Sequence, residues 1–401
     1  MKTIRQLVRG NIRQYGMIMA LVVLVIFFQF ATNGVLLRPM NVTNLVMQNS
    51  FILVMAIGMM LVIITGYVDL SIGSVVATTG AIAAVLMVDL KMPVYMTIAV
   101  AVVTGLLIGA FHGLCISAIG IPPFITTLAG MLIFRGICWA ILDGRTVGPF
   151  PKAFANISSG YLTIKIYNGN ITAGLVTQPS PGRDILSLLL GACIILYMIF
   201  AEMRSRQNKK KNNLEVMPGY LSVLKLAVIS GVVAFFSFML SSYVGVPIVL
   251  CIVIVLAVFY TFLMNNTIIG RHIYAVGGNQ ASAKLSGINV PRTIFFVFVN
   301  MGLMASLTGM LIAGRLNAAT PSAGNSFELD AIAACYVGGA STSGGIGTIV
   351  GGIVGAMFMG VLNNGMSIMG IAVDWQRVIK GFVLLLAVMF DIFVKKKNAN
   401  A

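Results

Sequence analysis

The acid–base equipment of this sequence is sparse: ten carboxylates and two histidines in 401 residues. Nearly all the acids fall at the ends of apolar runs. Asp69, Glu328 and Asp330 are the ones placed to lie at depth, and with Ser71, Asn363 and Asn364 they are the candidates to line a path for a polar solute. His112 stands alone among glycines, a setting that suits packing or a hydrogen bond better than proton relay. No grouping of Cys, His and carboxylate has the spacing of a metal site or a hydrolase, so no catalytic or metal-binding residue is assigned. The phosphate-cradling pattern G-x-x-x-x-G-K-[ST] is missing, and no Gly-Lys pair occurs anywhere, which excludes a P-loop ATP site. Arg135, Arg377 and Lys380 fall in or near apolar runs, each within about seven residues, or about 10 Å, of an outer end. All three are expected to snorkel to the interface.

The elements that must hold these residues are membrane spans. Hydrophobic residues make up 59% of the chain and charged ones 9%, against about 25% charged in a soluble domain. No soluble interior hides that much apolar surface. Apolar runs of span length recur, which predicts an all-α polytopic membrane protein of about 10–12 transmembrane helices. Two of the segments, 70–88 and 328–340, are short or Gly-rich enough to be re-entrant. The five cysteines all lie in apolar runs and read as packing residues.

The net charge of +16 is not a nucleic-acid signal. Sixteen basic residues fall in the predicted inner segments and seven in the outer links. That bias puts both termini, the basic link 203–218 and the stretch 266–291 in the cytoplasm, and 143–183 outside. The basic N-terminus with its long apolar run is expected to be an uncleaved first span. The inner link after residue 203 reads as a flexible polar tether. In the outer link, "YLTIKIYNGNITAGLV" alternates around Asn168-Gly169 as a β-hairpin does.

Two regions of a single transmembrane domain, 45–142 and 292–394, share a layout. Each places an Asp before a run of small residues, then a helix with glycine at every fourth position: Gly105, Gly109 and Gly113, and Gly347, Gly351 and Gly355. That spacing allows close helix packing. The spans before the two units run in opposite senses, the pattern of an inverted repeat and of transport. With no engine of its own, such a pathway needs one docked from the cytoplasm. "GRHIYAVGGNQASAKLSGINV" at 270–290 offers the place. Gly277-Gly278-Asn279 forms a turn signal, and Asn279 can cap a short helix from Ala281 to Gly287 that includes Ala283, Lys284 and Leu285. Gly287 is the C-cap candidate, and the small residues Ala281, Ala283 and Gly287 permit close approach to a partner. An ion-coupled secondary transporter is the first alternative and a channel or scaffold the second.

The stretch 270–290 resembles the cytoplasmic coupling loop of the monosaccharide permeases of bacterial ABC importers, the ribose, xylose and galactose group. "TGYVDLSIGS" (65–74), "IPPFITTLAGMLIFRGI" (121–137), "FELDAIAACYVGGASTSGGIGTIVGG" (327–352) and "DWQRVIKGFVLLLAV" (374–388) are similar to that group in the same order. Extra material around 156–245 is more similar to the xylose and multiple-monosaccharide permeases than to the ribose one. The resemblance implies an inner-membrane permease, paired with a second permease chain as a homodimer. It implies a cytoplasmic ABC ATPase that binds ATP and Mg, and a periplasmic or lipid-anchored sugar-binding protein. It implies no cofactor in this chain, no nucleic-acid partner, and no strong sugar site in the permease itself.

Overall fold

The computed structural model describes residues 12–167, 170–178, 182–212 and 218–399. The apolar runs form helices because a helix satisfies every backbone group within its own segment, as a lipid environment requires. In chain order the first part holds α1 (Ile12–Ala31), α2 (Pro39–Ile64), α3 (Ile72–Ala84), α4 (Val94–Leu114), α5 (Pro123–Leu142) and α6 (Lys152–Ser159). Strands β1 (Tyr161–Tyr167) and β2 (Asn170–Val176) precede α7 (Ile185–Lys211), α8 (Gly219–Ser241) and the short β3 (Val246–Pro247). The remainder holds α9 (Ile248–Asn266), α10 (Ile268–Gly278), α11 (Gln280–Leu285), α12 (Val290–Leu316), α13 (Phe327–Val337), α14 (Ile349–Ile368) and α15 (Val373–Ala399).

Among the described residues, nine helices are long and apolar enough to cross a membrane. The other three apolar segments are helical too. The apolar part of α1 is shorter, α13 has 11 residues, and Arg377, Lys380 and Asp391 interrupt the run of α15. Of the two segments expected to be short, only α13 is. α3 continues through a π-wound turn, Val85–Asp89, to span length. The chain is an all-α polytopic membrane protein with one small sheet.

The contacts divide it into two compact units. The larger comprises residues 1–36, 45–158 and 249–401. Its centre is α3, a helix of Ala, Gly, Ser, Thr and Val buried on almost every side. Thr78 donates to the Ser74 carbonyl at 2.9 Å and to the Phe134 carbonyl of α5 at 2.7 Å, so its hydroxyl is satisfied within the core. Small residues let backbones meet. A Cβ on Gly105 would overlap the Gly302 carbonyl, and one on Gly302 the Gly105 carbonyl, so α4 and α12 touch main chain to main chain. Gly109 and Gly113 continue that seam against Phe298 and Phe295.

The second glycine triad is not its copy. Gly347 precedes α14 and packs on Met60 and Ile64 of α2, whereas Gly351 and Gly355 lie against the Gly338 and Ala334 carbonyls of the α13 segment. The element order itself recurs. Long α2, α3, glycine-bearing α4 and α5 are matched by long α12, short α13, glycine-bearing α14 and α15.

The smaller unit comprises residues 37–44 and 159–248. β1 pairs antiparallel with β2, from Tyr161↔Val176 to Tyr167↔Asn170, and with β3, in the order β2-β1-β3. The hairpin expected from the alternation is present, although its link at 168–169 lies outside the described residues. Lys165 on β1 and Asp184 before α7 are joined by an antiparallel backbone β-bridge, and both are buried. Asp184 accepts from the backbone N–H groups of Ile164 at 2.7 Å and Ser187 at 2.8 Å, which caps α7. The link expected to be flexible after residue 203 is helical through Lys211, and 213–217 lie outside the described residues. Residues 1–11 of the basic stretch expected to precede the first span also lie outside them.

Candidate functional site

A cavity of about 430 Å³ opens in the larger unit between α2, α13, α14 and α15. Three of the residues singled out from sequence, Asp330, Asn363 and Asn364, line it. The other three do not. Asp69 accepts from the Ser71 N–H at 2.8 Å and the Ser71 Oγ at 2.6 Å, a local turn that leads into α3. Ser71 Oγ lies 3.5 Å from Nδ1 of the buried His112, whose ring packs on Phe134. The Glu328 carboxylate packs against Gly73 in the first turn of α3, where a side chain would overlap it. Asp69, Ser71 and Glu328 therefore fix the entry to α3.

The cavity's charged centre was missed in the sequence. Asp330 lies within the first turn of α13, not before a helix as Asp69 does. Its oxygens sit 2.9 and 3.1 Å from Nζ of Lys380 on α15. Lys380 therefore does not snorkel; it turns inward to a buried acid. Arg135 reaches the link after α12: its Nη1 donates to the carbonyls of Ala323 at 2.6 Å and Pro321 at 3.2 Å, holding the segment that leads into α13. Arg377 is the exposed one of the three, 3.9 Å from Asp374. An ionisable residue inside an apolar helix is by default a functional group with a partner, and that rule applied to Lys380 would have pointed to an acid.

Around the pair lie the amides of Gln48 and Asn49 on α2 and Gln376 on α15. The rings of Phe51 and Phe327 stack at 4.2 Å between centroids. Arg315, at the end of α12, reaches the Gln48 carbonyl at 3.4 Å. The short loop before α13 brings Asn325 to the same space.

The second candidate is the segment 268–290. α10 runs through Gly277 and Gly278, so those glycines are helical and the break falls at Asn279 alone. Asn279 ends α10 and starts α11, where its side chain accepts from the Ser282 N–H at 3.0 Å. The short helix is Gln280–Leu285. Beyond it Gly287, at φ +81°, closes the end: its N–H donates to the Lys284 carbonyl and the Ile288 N–H to that of Ala283, both at 3.0 Å. That is the left-handed helix stop glycine favours.

The exposed face of α11 carries Ala281, Lys284 and Leu285. Ala283 is turned inward and buried, so it cannot meet a partner as the sequence suggested. Gly277 presses on the Ile64 carbonyl at the end of α2. Two bonds fasten the segment, Tyr274 OH to the Gly347 carbonyl and Gln280 Nε2 to Tyr67 OH, each at 2.8 Å, and the seat itself is tied by the Gly345 N–H to the Ile64 carbonyl, also at 2.8 Å.

A family described as "branched-chain amino acid transport system / permease component" matches residues 41–206 and 224–388. Among curated proteins, the xylose transport system permease protein XylH of Haemophilus influenzae is 37% identical over 96% of this chain and 98% of its own length. XylH of Escherichia coli K12 is 38% identical over 97% of this chain and 94% of its own. The ribose import permease protein RbsC of Haemophilus influenzae is 31% identical over 89% of this chain and 87% of its own. No solved structure matches. With both halves of the chain matched and relatives aligned along nearly all of it, this multi-pass membrane protein belongs to that family of transport-system permease components.

Proposed function

We propose that the chain is the translocation subunit of an ATP-driven, binding-protein-dependent importer that carries a monosaccharide, xylose or a related pentose or hexose, across the inner membrane. The observation that carries this reading is the likeness to xylose transport permeases along nearly the whole of both chains. Two copies of the permease form the pathway. A cytoplasmic ATPase binds ATP and Mg and supplies the energy, and a sugar-binding protein delivers the solute on the outer side. The segment 268–290 is the ATPase-coupling element, with Ala281, Lys284 and Leu285 as its contact face. Both termini lie in the cytoplasm.

The geometry supports a coupling role in one specific way. A helix of six residues is too short to be stable alone. It is held by caps at both ends and by bonds to the main body, and so it can transmit a push instead of unravelling. The test is co-purification of the ATPase with Ala281→Trp and Leu285→Asp variants, alongside ATP-dependent xylose uptake in proteoliposomes. The expected result is loss of ATPase binding and of uptake with normal membrane insertion. Normal ATPase binding by both variants overturns the coupling assignment. Uptake that persists without ATP and collapses with the ion gradient overturns the importer.

A further inference from the structure

The cavity between α2, α13, α14 and α15 has a chemistry of its own. Six amide side chains line it: Gln48, Asn49, Asn325, Asn363, Asn364 and Gln376, of which Asn49 and Gln376 also donate to the Leu45 and Ile371 carbonyls at 2.9 and 2.8 Å. An amide both donates and accepts, so a wall of amides suits a solute whose hydroxyls do the same. Asn363 Oδ1 is buried and has no hydrogen-bond partner among the described residues. A buried acceptor left open is unfavourable, and a ligand hydroxyl or water would satisfy it. The stacked Phe51 and Phe327 add an apolar surface at the same cavity, the complement of the C–H face of a sugar ring. The volume, about 430 Å³, is within the range of small-molecule sites.

The charges argue against a zwitterion. An amino acid needs a carboxylate for its ammonium group, and the acid lining the cavity, Asp330, is already engaged by Lys380 at 2.9 Å. Opening that pair would expose a buried charge. A neutral polyol asks for no such exchange. Its hydroxyls can pair with open amide groups without breaking an ion pair, which makes for weak binding but selective exclusion of solutes that leave such groups unpaired.

We propose that this cavity binds a neutral monosaccharide directly, so that the permease carries a selectivity station of its own besides any binding protein. The proposal rests on the reading of the chain as a monosaccharide permease. The test uses the permease in nanodiscs, without ATPase or binding protein, on a cysteine-free background with Ser367→Cys at the cavity. Modification of that thiol is followed with and without D-xylose, D-ribose, D-galactose or L-valine. The same background, assembled into the full transporter, is assayed for xylose uptake.

The expected result is that at least one sugar slows modification saturably while L-valine does not. Asn363→Leu should raise the half-protecting concentration about tenfold, the scale of one lost hydrogen bond. Gln48→Leu, at the exposed edge, should raise it less and guards against misfolding of the first variant. If xylose is imported but no sugar protects the thiol, the proposal is overturned and the importer reading stands. If sugars protect as well in both leucine variants as in the parent, it is likewise overturned. If L-valine protects, sugars do not, and xylose is not imported, both fall together.

Discussion

At the scale of single residues, the decisive group is Lys380. It donates to a carboxylate fifty positions away in sequence, and no local pattern connects the two. Periodicity reports which face of a helix is apolar, but not which distant helix that face meets. The sequence thus made Asp330 and Asn363 legible as polar residues in apolar surroundings, and left Lys380 looking like an interface anchor. Breaking one side of a buried pair typically costs about 3–5 kcal/mol, because the other charge is stranded. Lys380→Met should therefore lower the stability of the detergent-purified protein by that order. The double variant Asp330→Asn/Lys380→Met should recover much of the loss, a coupling that thermal unfolding of all four forms measures directly.

A second residue carries a pH dependence. Burial pushes the Lys165 ammonium below the usual lysine range, and the Asp184 carboxylate offsets this only in part. The folded chain therefore gives up that proton at lower pH than the unfolded chain, which holds it to about pH 10.4. Between the two values the unfolded state binds more protons, so the stability of the smaller unit rises with pH there. The gain is lost as pH falls below the folded value. Lys165→Met should abolish that alkaline slope in protease-resistance measurements on 159–248; an unchanged slope would assign it to another group.

At the scale of elements, the glycine pattern was readable but its partners were not. Spacing of four put Gly105, Gly109 and Gly113 on one face, and that face does pack, against α12. The same spacing at Gly347, Gly351 and Gly355 suggested an equivalent seam, whereas Gly347 is not helical at all and the other two meet α13. The reason is that small residues license close approach without choosing the neighbour. Gly355→Val should be severe, since even its Cβ would overlap the Ala334 carbonyl, and overpacking a fitted contact costs about 1–3 kcal/mol. Gly231→Val on α8, where a Cβ meets nothing within 4 Å, should leave folding yield unchanged. Comparable loss in both variants, read as monodisperse protein recovered from membranes, would remove the packing explanation.

At the scale of the whole molecule, hydropathy gave the class, because lipid leaves a chain few ways to satisfy its backbone. It could not count spans where charge interrupts an apolar run, as in α15, nor detect that the material around 159–248 forms a separate compact unit. Orientation rests on the basic bias of the links and is open to direct measurement. In intact cells an impermeant thiol reagent should label a cysteine at the exposed Lys152 and spare one at Leu285, which is 90% exposed but expected on the cytoplasmic side. Labelling at Leu285 with protection at Lys152 would invert the topology.

The fastening of 268–290 bears on what can be exchanged between related permeases. Tyr274, Gln280 and Gly277 are seated on Gly347, Tyr67 and the end of α2, main chain against main chain at the last of those places. A graft of this segment alone would arrive without its socket. On the proposed coupling role, a chimera that also carries residues 64–67 and 338–348 transplants lever and fulcrum together, and only that larger cassette should accept a foreign ATPase.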